Sequence, residues 1–145
     1  MKFKSLLYLF LLLSASCSSV SQEKSKPVLL KIEVHLSAYG VESDHIPSIR
    51  GIVDFEADSS FFQRSFYNPA LKASTYSLSK AERDSLHKMI NQADFTKLKL
   101  VYKNNTSDQP TSTITFTWKD RQLKIEDYGL KGAPVLEEIY RLIYK

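Results

Sequence analysis

One thiol, three imidazoles and a short alternation of carboxylates are the groups in this 145-residue chain whose types could do chemistry. Cys17 is the single cysteine, and it directly follows the small residues Ser14, Ala15 and Ser16. A thiol in that place can carry a thioether-linked lipid, and a chain with one cysteine forms no internal disulfide. His35, His45 and His87 have no partners at ligand spacing, and HExxH and CxxC are both absent, so neither a metal nor a cofactor is expected. His45 stands beside Asp44 in a stretch rich in turn residues, where binding groups are commonly carried. Asp54, Glu56 and Asp58 alternate, so on a strand their carboxylates share one face. That pattern could hold calcium or supply an acid and a base, and it equally describes a solvated strand. No G-x-S-x-G elbow or S-x-x-K motif is present to activate a serine, and four glycines provide no phosphate-cradling loop. No catalytic residue is assigned, and the chain is not expected to be an enzyme.

Aromatic residues are the other candidates. Phe61, Phe62, Phe66 and Tyr67 crowd one predicted strand, with Phe61 and Tyr67 on one face and Phe62 and Phe66 on the other. A sheet covered on one side has room for only one of these pairs. Either loops cover the second face, or the aromatics form an exposed patch for a glycan, a peptide or a protein. Asp44, His45, Phe61 and Tyr67 are therefore the possible binding residues.

The N-terminus states where the chain goes. Lys2 and Lys4 precede an unbroken apolar run from Leu6 to Leu13, and small residues then lead to Cys17. This is the layout of a secretory signal, and the run is too short to span a bilayer as a helix, which takes roughly 20 apolar residues. The small-residue run ending in cysteine also resembles a bacterial lipoprotein signal, although Ser14 stands where that signal usually has an aliphatic residue. Residues 1–16 are expected to be the signal peptide and residues 17–27 a lipidated cysteine with a polar tether. Residues 28–145 are left as a single domain, long enough to bury a core without staples. Removing Lys2 and Lys4 lowers the formal net charge from +4 to +2. No basic stripe stands clear of interleaved acids, so nucleic acid is not an expected partner.

The elements follow from periodicity. Residues 28–36 alternate, with Leu30, Ile32, Val34 and Leu36 on one face and Lys31, Glu33 and His35 on the other, which predicts a half-buried strand. Residues 49–56 and 61–67 predict a hairpin, and so do Ile114, Phe116 and Trp118 followed by Leu123 and Ile125. Ser79 and Glu82 form a capping box that opens a helix ending near Asp94. Pro134 opens a second helix, with Leu136, Ile139, Tyr140 and Ile143 as its apolar stripe. The order strands, helix, strands, helix predicts an α+β fold, an antiparallel sheet with two helices packed on one face.

The run LSKAERDSLHKMINQADFTKLKLVY, then Asp108 and Pro110, then TITFTWKDRQLKIEDYGLKGAPVLEEIYRLI resembles a family of uncharacterised domains found in exported bacterial proteins, many of them lipoproteins of Bacteroidetes type. Phe95, Leu98, Asp108, Pro110, Tyr128, Gly129, Pro134 and Leu136 are the matching positions. The family's N-terminal half carries a Gly-x-Cys-Pro-x-Tyr element. The corresponding stretch here is Asp44, His45, Ile46, Pro47 and Ser48, with Ile46 where the cysteine would fall. The resemblance implies location and fold and brings no activity with it.

Together these features predict a lipid-anchored protein of the bacterial envelope, facing the periplasm or the cell surface. Its expected partners are the membrane, through the lipid on Cys17, and an envelope protein, peptide or glycan. Two alternatives stand beside this reading. One is an inhibitor or immunity-like protein that blocks an enzyme through residues 37–48 or 103–112. The other is a small hydrolase using Asp44, His45 and the Asp54 to Asp58 face.

Overall fold

The computed structural model describes residues 27–38 and 46–145. Seven strands form one sheet: β1 (Leu29–Ser37), β2 (Ser48–Asp54), β3 (Ser59–Ser65), β4 (Ser74–Tyr76), β5 (Val101–Tyr102), β6 (Thr111–Trp118) and β7 (Gln122–Tyr128). Two helices, α1 (Lys80–Gln92) and α2 (Pro134–Ile143), and a short 3₁₀ turn (Phe95–Lys97) complete the fold. The sheet order is β4-β3-β2-β1-β6-β7-β5. The fold is α+β as expected, but the sheet is mixed. Every neighbouring pair is antiparallel except β5 with β7, which run parallel. Periodicity could not reveal this, because a two-residue strand carries no alternation to read.

Inward-facing side chains line up across the sheet and form one core with the helices. Ile32, Val34 and Leu36 of β1 sit between Val53 and Ile49 of β2 and Phe116 and Ile114 of β6, all buried. Leu86 and Ile90 of α1 and Leu136, Ile139, Tyr140 and Ile143 of α2 join the same cluster. Phe95 from the 3₁₀ turn packs edge-on against Phe116 and Trp118, with ring centroids 4.7 and 5.4 Å apart. On the opposite face, Glu33, Arg50, Phe61, Gln63, Lys124 and Glu126 are exposed.

One inward assignment is corrected. Leu29 is buried and Leu30 is not, because the register between β1 and β6 shifts between Leu29 and Lys31. A bulge inserts one residue and inverts the alternation beyond it. The carbonyl of Leu30 accepts instead from the Phe55 N–H at 2.9 Å.

Both helices start where the sequence places them, one at a capping box and the other at a proline. Ser79 is the N-cap of α1 and its side chain accepts from the Glu82 N–H, while Glu82 accepts from the Ser79 N–H at 2.8 Å. Pro134 occupies the first turn of α2, which has no side-chain cap. Among the described residues no helix is long and apolar enough to cross a membrane.

Candidate functional site

The register places one row of side chains along the end of the sheet's inner face: Arg64, Ile49, Leu36, Ser112, Asp127 and Tyr102. Apolar residues hold its centre, and polar ones hold the side nearest β5. Ser112 and Asp127 are both fully buried. In β7 the inward positions run Leu123, Ile125, Asp127, so a carboxylate occupies a slot that alternation assigns to the core.

Burying a carboxylate is unfavourable unless donors replace the water it gives up. Asp127 Oδ2 accepts from the Gly132 N–H at 2.9 Å and from the Tyr140 hydroxyl at 3.2 Å. Its other oxygen, Oδ1, has no hydrogen-bond partner among the described residues, and Asp127 forms no ion pair there. Gly132 lies two residues before Pro134, so the positive end of the uncapped α2 offsets part of the charge. Burial above all, and then the Asp127 carboxylate, push the Tyr140 hydroxyl far up, which keeps it a donor. Tyr144 is also pushed far up by burial, and its hydroxyl lies 2.6 Å from that of Ser112. The Tyr76 hydroxyl donates to the Ile143 carbonyl at 2.5 Å.

Asp127 lines an open cleft of about 380 Å³, whose other walls are Tyr102, Lys103, Asn104, Asn105, Tyr128, Lys131 and Gly132. The parallel pair explains its position. Strands β5 and β7 run in the same direction, so both chains leave the sheet at the same end, and a crevice opens between their outgoing loops. Antiparallel neighbours would send those loops to opposite ends.

The turn after β7 folds back on the site. Gly129 and Leu130 have φ of 94° and 60°, and this left-handed pair reverses the chain so that the Gly132 N–H returns to Asp127. A Cβ on Gly132 would stand 2.4 Å from Tyr102 Cγ and 2.8 Å from Asp127 Oδ2, so only glycine lets the loop approach this closely. The facing loop is pinned as well. The Tyr128 hydroxyl accepts from the Gln109 N–H at 3.2 Å, and the Pro110 carbonyl accepts from the Gly129 N–H at 2.9 Å. Asn104 Oδ1 accepts from the backbone and the hydroxyl of Thr106, both at 3.1 Å, which fixes the orientation of its amide group. Lys103 and Lys131 are exposed at the rim and form no ion pair among the described residues.

Of the possible binding residues singled out by sequence, Phe61 and Tyr67 do not line this cleft. Cys17, Asp44 and His45 lie outside the described residues. Phe61 is 53 % and Tyr67 96 % exposed, while their neighbour Phe62 is fully buried. Strand β3 ends at Ser65, so Tyr67 belongs to the following loop and shares no strand face with Phe61. Phe61 lies four strands from Asp127, about 20 Å at the usual spacing.

Nor do Asp54, Glu56 and Asp58 share a face. Strand β2 stops at Asp54, whose Oδ1 accepts from the backbone of Glu56 and Ala57 at 3.0 and 2.9 Å in a tight turn. Asp58 has φ of 46° and binds Arg83 of α1 at 2.9 Å. That contact holds its carboxyl below the usual range. His35 sits half-buried on the outer face with its pKa lowered by burial and by Arg50. His87 packs against Phe55 with ring centroids 4.9 Å apart. The groups that do converge, Ser112, Asp127, Tyr140 and Tyr144, were not singled out. The available signal was an aspartate at an inward strand position.

The model of a domain of unknown function, DUF6438, matches residues 53–145, well over half of the chain and the whole of the cleft. No curated protein and no solved structure matches the chain.

Proposed function

We propose that this chain, which belongs to the DUF6438 domain family, is a lipid-anchored envelope protein whose domain binds a small polar ligand in the Asp127 cleft without transforming it. The observation that carries the binding reading is the unpartnered Oδ1 of a fully buried aspartate lining an open cleft. Such an oxygen is costly to leave unsatisfied, and a ligand donor relieves that cost. The volume falls within the usual range of small-molecule sites, roughly 300–1,000 Å³. Support for the anchor comes from the sequence, in the leader that ends at Cys17 and the polar tether after it.

A protein partner is the second reading, and it covers the inhibitor-like alternative. Exposure of Phe61 and Tyr67 favours it, because large aromatics in water are the anchors interfaces commonly use.

Two measurements test the proposal. A thermal-shift screen of sugars, polyols, amino acids and organic acids should give at least one compound that raises the melting temperature of the wild type but not of Asp127→Asn, since binding to the folded state alone stabilises it. If every compound shifts both proteins equally, the cleft is not the site. The intact mass and the membrane and soluble fractions of the wild type beside Cys17→Ala test the anchor. A lipid-sized mass and membrane retention should be present in the wild type only, and an unmodified soluble wild type would sink the anchor.

A further inference from the structure

We infer that the ligand of this cleft is a small zwitterion, its ammonium group meeting Asp127 Oδ1 and its acid group meeting Lys103 and Lys131. The inference rests on the reading of the cleft as a binding site and adds the chemistry of what it binds. Three observations lead to it. Asp127 is fully buried and has no counter-ion among the described residues, so its free oxygen favours a cationic donor over a neutral one. Lys103 and Lys131 line the same cleft and are equally without a counter-ion there. Asn104, held through its carbonyl oxygen by Thr106, keeps its NH₂ group for further bonding.

The balance of charge disfavours a ligand of a single charge. A bare cation drawn to Asp127 is repelled by two lysines and by the positive end of α2, and a bare anion drawn to the lysines is repelled by Asp127. One molecule carrying both charges satisfies both walls. The Tyr102 and Tyr128 hydroxyls accept from the Lys99 and Gln109 backbones, which fixes both side chains and leaves each O–H as a donor.

The test is isothermal titration of the full chain with glycine, alanine, β-alanine and γ-aminobutyrate, each beside its N-acetyl and methyl-ester forms. At least one free zwitterion should bind, with its acetylated and esterified forms weaker by about tenfold or more, the effect of losing one charged hydrogen-bond partner. Asp127→Asn should lose the discrimination against the N-acetyl form, and Lys131→Ala the discrimination against the ester. Amide ¹H–¹⁵N spectra report whether Asp127→Asn keeps the fold. Lys131 is exposed at the rim, so its variant carries the test alone if the aspartate variant unfolds. Equal binding of blocked and free forms, or no binding by the whole series, overturns the inference. Should glucose or glycerol bind in an Asp127-dependent way where the series does not, the ligand class falls and the binding reading stands. Absence of any binding removes both.

Discussion

At the scale of the residue, Asp127 organises its surroundings through two donors of different origin. Gly132 supplies a backbone N–H and Tyr140 a hydroxyl. Removing a donor from a buried carboxylate costs about 1–3 kcal/mol, because the oxygen keeps its desolvation penalty. Tyr140→Phe should therefore lower the unfolding free energy by about that much in urea denaturation, and an unchanged midpoint would mean that water replaces the hydroxyl. Gly132→Ala tests the other side. Its Cβ would press on the Tyr102 ring and Asp127 Oδ2, and overpacking of this kind costs about 1–3 kcal/mol. The variant should be less stable and should also lose the Asp127-dependent thermal shift.

At the scale of the element, the start of α1 is tied to the end of the chain. Glu82 closes the capping box with Ser79 and also binds the Lys145 ammonium. The Lys145 contact first, and then the Ser79 donors, hold the Glu82 carboxyl at about 2, against an ordinary 4.5. A depressed carboxyl contributes stability above its unfolded pKa and loses it as pH falls through its folded value. The contribution of Glu82 should thus be whole above pH 4.5 and fade towards pH 2. Its side chain is about a third exposed, so the effect is modest and screened by salt. Glu82→Gln should flatten the stability profile between these pH values, and a profile as steep as the wild type's would show that other carboxyls carry it. Ser79→Ala should cost about 0.5–2 kcal/mol at neutral pH, read by thermal or urea unfolding. These caps were legible in the sequence because a cap is a local event, satisfied within four residues.

At the scale of the whole molecule, the sheet has, among the described residues, a covered face and an open one, and the neighbours Phe61 and Phe62 separate them. Phe62 is buried over Gly51, where a Cβ would stand 2.1 Å from its ring, and it stacks on Tyr76 with centroids 4.9 Å apart. Phe62→Ala should cost about 3–5 kcal/mol, and Phe61→Ala on the open face about 0.5 kcal/mol or less. Comparable losses in the two variants would mean that the open face is covered in solution.

What the sequence determined by itself was whatever nearest neighbours enforce: the alternation of β1, β6 and β7, the capped start of α1, the proline start of α2, and a family pattern with no activity attached. Carried two residues past Ile125, the same alternation reaches Asp127, which the structure shows on the core face, though nothing local shows what meets it there. Tertiary structure decided the rest. Strands β4 and β5 are three and two residues long, too short for any period, and are defined by their pairing with β3 and β7. The β1 bulge depends on register against β6, and the split of Asp54, Glu56 and Asp58 on where β2 ends. The cleft depends on a parallel pair whose partner residues, such as Tyr102 and Asp127, lie far apart in the chain, closed by a loop that brings Gly132 back to Asp127. A site assembled across such separations has no spacing in the sequence, because the distances that define it are set by packing.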